Sequence, residues 1–325
     1  MLTSDKKFNN IKIHTQYSIC EGAIKIDELA NYCKTNKIRS IGLADSYNLC
    51  GALEFAEKIS KVGTQPIIGT QINLSVDSLI GKITLYATSE QGYKNLTKLS
   101  SLSYLNSKET EDPACEIEDL IKNNFDLILL TGNYRDFFGK LFQANKIKHL
   151  NNIITLLKKN FKNRIYFEIQ RHKENEETNF ENFILNHSKS FNIPLIATQE
   201  VFYLNKEMFE AHDALKCIGE KNFIDDKNRF KLSDQHFLKD SNDLATLFSD
   251  IPEALENNYN FHLRFNFKLK KSKPILPSLS NKKNLSPEEE LSIQAKSGLT
   301  NRIKNFISKK KKRQKPRSNS KNLCR

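Results

Sequence analysis

An α/β barrel with a mainly parallel sheet is the fold class that the sequence predicts, and three observations point to it. Short β-rich runs alternate with helical patterns along the first 220 residues. Neither GxGxxG nor GxxxxGKS/T occurs, so the phosphate turn that an open nucleotide-binding sheet carries after an early strand is missing. Polar residues able to do chemistry recur at the C-terminal ends of successive strand runs, where a closed barrel gathers its site.

The strand runs are NIKIH (10–14), SIGLAD (40–45), PIIGTQINL (66–74), ITLYAT (83–88), DLILLTG (126–132), RIYFEIQ (164–170) and PLIATQE (194–200). Each is rich in β-branched or aromatic residues and is bounded by polar or glycine-bearing stretches. Helical spacing of apolar residues predicts helices at 25–36, 50–61, 90–103, 116–123, 135–144, 149–160, 176–190 and 206–219; in the last, Ala211, Leu215 and Ile218 share one face. After residue 220 the texture changes to an extended segment and short helices, one capped at Ser241 or Asp243 and one following Pro252. A proline-bearing stretch then leads to a helix opened by Ser286-Pro287-Glu288-Glu289, a capping-box pattern. The expected organisation is a barrel at 1–220, an extension at 221–263, a linker and helix at 264–306, and a basic tail at 307–325 that is too poor in apolar residues to pack.

Composition narrows the function classes. A chain of 325 residues with 38% apolar content can bury a sizeable core. The first ten residues, MLTSDKKFNN, have no apolar signal core, and no run approaches the eighteen or so apolar residues of a membrane span, so a cytoplasmic protein is expected. Cys20, Cys33, Cys50, Cys115, Cys217 and Cys324 are scattered without a CxxC pair and read as reduced thiols, with Cys20 and Cys50 expected in the core. The net charge of +13 belongs to one end: residues 301–325 hold eleven Lys/Arg and no acid, which leaves 40 basic against 38 acidic side chains before them. Lys309, Lys310, Lys311, Lys312 and Arg313 head a segment that would bind any polyanion in a salt-dependent way.

The strand ends present His14, Asp45, Gln71, Thr131, Gln170 with His172, and Glu200. Their convergence on one rim would build a pocket. His212 and Asp213 fall on an apolar-periodic helix, where packing and a hydrogen bond are the expected duties.

The segments HTQYSICEG, GLADSYNLCGALEFAEKISKVGTQPIIG, IYFEIQRHKENEETNF, IPLIATQEVFYL, EAHDALKCIGE and LFSDIPEALENNYNFHLRFNF resemble, in order and spacing, the N-terminal PHP (polymerase and histidinol phosphatase) domain of bacterial DNA polymerase III alpha subunits. The resemblance runs from about Phe8 to Phe306 and implies a distorted (β/α)7 barrel, followed in complete subunits by polymerase domains that use Mg2+. Metal-bearing relatives look like HxHxHTQ at the first strand, DHGN at the second, a glutamate after PIIG, and TNDVHY at the last. At the matching positions this chain has Asn10, Lys12 and His14, then Asp45 and Ser46, then Gln71, then Glu200 and Phe202. His14, Asp45, His172 and Glu200 survive, too few for the paired metals that phosphodiester hydrolysis by such clusters requires.

The resemblance therefore implies a metal-free pocket without catalytic residues, in which the Lys12 ammonium stands in for the cation and compensates Asp45 or Glu200. It implies a structural module that docks the proofreading exonuclease (epsilon) subunit and meets other replicative polymerase subunits, with no membrane partner. Two other readings remain open. One is a residual Zn2+- or Mn2+-dependent 3′–5′ exonuclease or phosphoesterase using His14, Asp45, His172 and Glu200; the other is a nucleic-acid binder acting through the basic tail. The family would continue with a palm that binds magnesium for nucleotidyl transfer, and the lysine-rich finish in its place is what a truncated or frameshifted product would show.

Overall fold

The computed structural model describes residues 7–77, 79–107, 112–274 and 285–313. Its strands are β1 (Lys12–Ile13), β2 (Ser40–Ser46), β3 (Gln65–Val76), β4 (Leu79–Ala87), β5 (Ala114–Glu116), β6 (Leu127–Leu130), β7 (Ile165–Ile169), β8 (Leu195–Ala197) and β9 (Glu200–Val201). Its α-helices are α1 (Ile26–Thr35), α2 (Ala52–Lys61), α3 (Glu90–Asn106), α4 (Ile117–Lys122), α5 (Phe137–Gln143), α6 (Ile147–Phe161), α7 (Glu177–Phe191), α8 (Phe209–Glu220), α9 (Ser241–Leu247), α10 (Pro252–Phe261) and α11 (Pro287–Arg313). Two compact units result, Met1–Lys271 and Ser272–Arg325.

The strand order is β8-β7-β6-β4-β3-β2-β1-β9, with β5 added beside β3. The two ends of this order are consecutive in sequence: only Thr198 and Gln199 separate β8, which pairs with β7, from β9, which pairs with β1. The last stave is thus one interrupted strand, and the chain itself closes the curled sheet into the distorted barrel.

Most neighbours are parallel, but β4 runs antiparallel to both β3 and β6. Only residues 77 and 78 separate β3 from β4, too few for the crossover that a parallel pair needs, so a hairpin replaces one of the expected strand–helix steps. β5 has no counterpart among the predicted runs; three residues carry too little alternation to signal a strand.

The lower part of the barrel is apolar. Ile11, Ile67, Tyr86, Ile128, Tyr166 and Ile196 pack together and are stoppered by Phe261 and Phe265 at the end of α10. Outside, α1 and α2 pack on one arc of the sheet, and α3 to α7 on the other. Local chemistry sets the helix ends. Ser89 accepts the Gly92 amide at 3.1 Å to start α3, and Asn192, in the left-handed region at φ 49°, ends α7. The cap of α9 is Asp240, one residue before the expected Ser241; its carboxylate accepts the amides of Asn242 (2.7 Å) and Asp243 (2.9 Å). α10 carries Pro252 in its first turn, as expected, and the Ser286–Glu289 capping box opens α11 with reciprocal bonds of 2.9 and 3.3 Å.

Residues 221–263 pack with the barrel in the first unit, and Asn258 is the rivet. Its side chain accepts the Asn9 amide (2.8 Å) and donates to the carbonyls of Asn9 (3.0 Å) and Ala197 (2.9 Å), while Asn9 Nδ2 returns a bond to the Asn258 carbonyl (2.7 Å). Asn258→Ala would leave buried backbone groups at the first and last staves unpaired. A loss of about 2–3 kcal/mol is expected in urea unfolding, with an unchanged denaturant slope.

Candidate functional site

The upper half of the barrel is polar, and Lys12 stands at its centre. The side chain is fully buried. Its Nζ lies 3.4 and 3.5 Å from the two carboxylate oxygens of Glu168, 3.6 Å from Asp136 Oδ2 and 3.6 Å from Glu200 Oε1. Three elements supply these acids: Glu168 lies within β7, Asp136 immediately precedes α5, and Glu200 begins β9. On β7 the inward positions alternate, so Tyr166 joins the apolar layer below and Glu168 the polar layer above.

Surrounding donors complete the solvation that burial removes. Glu168 accepts from Gln170 Nε2 (2.6 Å), the Gly132 amide (3.0 Å) and the Thr198 hydroxyl. Glu200 accepts from Gln71 Nε2 (2.8 Å) and Asn133 Nδ2 (3.3 Å) and faces His14 Nε2 at 3.1 Å. Asp136 accepts the Asn133 amide at 2.9 Å. Burial alone would lower the Lys12 pKa, but Glu168, Glu200 and Asp136 outweigh it and hold the pKa above the ordinary lysine value. Burial works against the charge of Glu200 too, yet Lys12 and His14 keep that carboxyl well below its usual range. Burial dominates at Asp136, whose pKa is pushed up to about 6 despite Lys12.

Among the expected pocket residues, His14, Gln71 and Glu200 come together with Lys12. Ser46 lies at their edge: its hydroxyl is 3.4 Å from His14 Nδ1 and donates to Glu21 at 2.5 Å. Phe202 stacks on the His14 ring with centroids 4.5 Å apart. Of the two carboxylates expected as alternative partners of Lys12, Glu200 is one and Asp45 is not. Its oxygens are taken by the Thr15 amide (2.6 Å), the Thr15 hydroxyl (2.8 Å) and the Ser18 hydroxyl (2.7 Å), all from the turn after β1. Asn10 also leaves the cluster, donating to the Lys239 carbonyl at 3.3 Å.

His172 stacks face to face on His236, with centroids 4.0 Å apart and planes within 7°. Glu177 faces its Nδ1 at 3.2 Å, and burial holds its pKa well below the usual histidine value, so the ring is neutral. His212 bonds the Glu21 carbonyl at 2.7 Å, and Asp213 forms a bidentate pair with Arg229 at 2.7 and 2.6 Å, the hydrogen-bonding duties expected of both. The thiols differ from expectation. Cys20 is half-buried in a turn at φ 58°, and Cys50 is exposed on the loop before α2. Cys324, residues 314–325 and the side chains of Lys309, Lys310, Lys311, Lys312 and Arg313 lie outside the described residues, although the α11 backbone reaches Arg313.

Several site residues had gone unnoticed in the sequence. Glu168 carried a usable signal, an acid in the middle of an otherwise apolar strand. Asp136 carried none, because an acid before a helix reads as a cap. Glu21 and Lys82 form a second pair at 2.9 and 3.0 Å beside Ser46; burial resists its ionisation, but Lys82 and His14 bring Glu21 down to about 2. His236 reaches the pocket because residues 235–238 run beside the last stave, bonding Phe202 and Tyr203. Above the cluster opens a cavity of about 420 Å3, whose walls include Glu21, Lys82, Asn133, Asp136, Glu200 and Phe202.

The donor set does not fit a divalent-metal cluster. An ammonium already sits within 3.6 Å of the three acids that would hold a cation, Asp45 is saturated by turn donors, and Asn10 faces elsewhere. Among the described residues no three His, Cys, Asp or Glu side chains converge as metal ligands. What the arrangement does chemically is hold one ammonium among three carboxylates, each of which has hydrogen-bond donors of its own.

The PHP domain model matches residues 10–172. The chain belongs to the PHP domain family. It is homologous to the N-terminal PHP region of DNA polymerase III alpha subunits. It is 33% identical over 306 residues to DNA polymerase III subunit alpha of Caulobacter vibrioides, covering 91% of this chain and 27% of that protein. Against the Rickettsia conorii protein of the same name the figures are 34% over 301 residues, 91% and 25%; against that of Borreliella burgdorferi they are 32% over 321 residues, 94% and 28%. The chain thus spans about a quarter of the length of the curated relatives it matches. No helix among its described residues is long and apolar enough to cross a membrane.

Lys12→Met would leave the PHP carboxylates without their cation. A destabilisation of about 3–5 kcal/mol at neutral pH is expected from chemical denaturation. Because the folded pKa of Asp136 is raised, the stability it contributes is full below its unfolded value of about 4 and is lost as pH rises through about 6. Carboxyl NMR titration is expected to place its midpoint near 6 and, in Lys12→Met, higher still, since Lys12 holds it down.

Proposed function

We propose that this PHP chain is a metal-free structural module of a replicative DNA polymerase that docks the proofreading exonuclease subunit. The supporting observation is Lys12, whose buried ammonium meets three carboxylates at 3.4–3.6 Å in the heart of the pocket. A divalent cation there would be repelled by the ammonium and would have to displace it. With the cation replaced, the cluster ties β1, β7 and β9 together, and holding the shape of the barrel rather than hydrolysis becomes the pocket's contribution. The relatives' printed name supports the polymerase context, and in that context the working compartment is the cytoplasm. No metal or other cofactor belongs to this reading, and nucleotidyl transfer would reside elsewhere in a complete subunit.

Two measurements test the proposal together. Purified chain dialysed against Zn2+ and Mn2+ is expected to retain less than one equivalent of metal by elemental analysis and to leave 3′-labelled DNA intact. The same chain is expected to retain the exonuclease subunit from its own organism on a pull-down column. Stoichiometric metal with chelator-sensitive cleavage would install the phosphoesterase reading in its place, and failure to retain the exonuclease subunit would remove the docking role.

A further inference from the structure

We propose that the cavity above Lys12 binds a small zwitterion, a flexible chain with an ammonium at one end and a carboxylate at the other, held with the ammonium inward. This goes beyond the structural role and follows from the polarity of the cavity itself. Two of the acids around Lys12, Asp136 and Glu200, form part of its wall, and their side chains are only 8% and 9% exposed, which marks its deep end. With Glu168 they set three carboxylates against one ammonium, and a protonated His14 ring would still leave the acids in excess. The deep end is short of positive charge. Glu21, a further wall acid, has its own partner in Lys82 at 2.9 Å.

At the mouth the sign reverses. Arg135 and Lys216 are half-buried there and Lys140 is exposed, while Asp112 is the only exposed acid of the wall among the described residues. Lys140 Nζ donates to the Ile80 carbonyl at 2.8 Å and meets no carboxylate among the described residues; Lys216 reaches Glu220 at 3.2 Å, and Arg135 pairs with Glu174. An ammonium moving inward finds the surplus carboxylates, and a carboxylate left at the mouth finds the cations. The reverse orientation would set like charges together at both ends. Each carboxylate oxygen can accept more than one donor, so the guest ammonium bonds Asp136 and Glu200 without displacing Lys12, which a divalent ion could not do. Phe202 offers a ring face beside the deep end, and Tyr47 and Phe230 flank the carbons between the two charges. A volume of about 420 Å3 accommodates such a chain and lies in the range of small-ligand pockets.

Calorimetric titration of the full chain at neutral pH with ε-aminocaproate, and with hexylamine and hexanoate as controls that keep one end each, tests the proposal. ε-Aminocaproate is expected to bind, hexylamine about fivefold more weakly, and hexanoate more weakly still. Lys140→Ala combined with Lys216→Ala is expected to abolish the difference between ε-aminocaproate and hexylamine, since both lysines act on the carboxylate alone. Asp136→Asn is expected to weaken both amines by about tenfold, with circular dichroism confirming that the barrel persists. The lysine variants alter only the surface and keep the proposal falsifiable if Asp136→Asn fails to fold. ε-Aminocaproate that does not bind at about 10 mM, or binds no more tightly than hexylamine, overturns the proposal. So does a preference for the zwitterion that survives the loss of both lysines.

Discussion

The pocket hangs on one buried ammonium. Lys12 lies among Glu168, Asp136 and Glu200, three acids brought from separate stretches of chain by the closure of the barrel. Taking any of these charges out of water is costly, and the cluster is tolerable only because each carries its own donors as well: Gln170 and Gly132 for Glu168, Gln71 and Asn133 for Glu200, the Asn133 amide for Asp136. One cation cannot neutralise three anions, and Asp136, the acid whose pKa rises, takes up the imbalance.

That dependence extends to the barrel around the pocket. The staves β1, β7 and β9 meet at Lys12, while below it Phe261 and Phe265 stopper an apolar layer. Asn258 binds the same first and last staves through the carbonyls of Asn9 and Ala197 and the amide of Asn9. A closed ring needs such ties at its seam, because β8 and β9 are short and interrupted. The neighbouring polar groups are engaged too: Asp45 serves the turn after β1, and His172 stacks on His236.

The fold was largely legible. Periods of two and of about four placed the predicted runs and helices within a few residues of where they lie, since burying one face is the demand that sets both patterns. The reversal of β4 was legible only as a short gap between two runs, and β5 was too brief to register. The site was half legible. Lys12, His14, Gln71 and Glu200 could be found at strand ends, and the lysine could be argued to seek a carboxylate there. Which carboxylate could not be read: Asp45 and Glu200 were equal candidates, and Glu168 and Asp136 were not in view.

What the sequence alone determined was the order of strands and helices, the family that its motifs resemble, and the presence of a lysine where that resemblance implies a ligand histidine. These depend on residue types and local spacing, which a linear chain displays. Tertiary structure decided the partners of that lysine, the service of Asp45 to its own turn, and the arrival of His236 from a segment outside the barrel strands. Such facts depend on which residues folding brings within reach, and Lys12 and Glu168 stand 156 positions apart. No local pattern encodes them, because the energy that selects them comes from burial of charge, and burial exists only once the chain has folded.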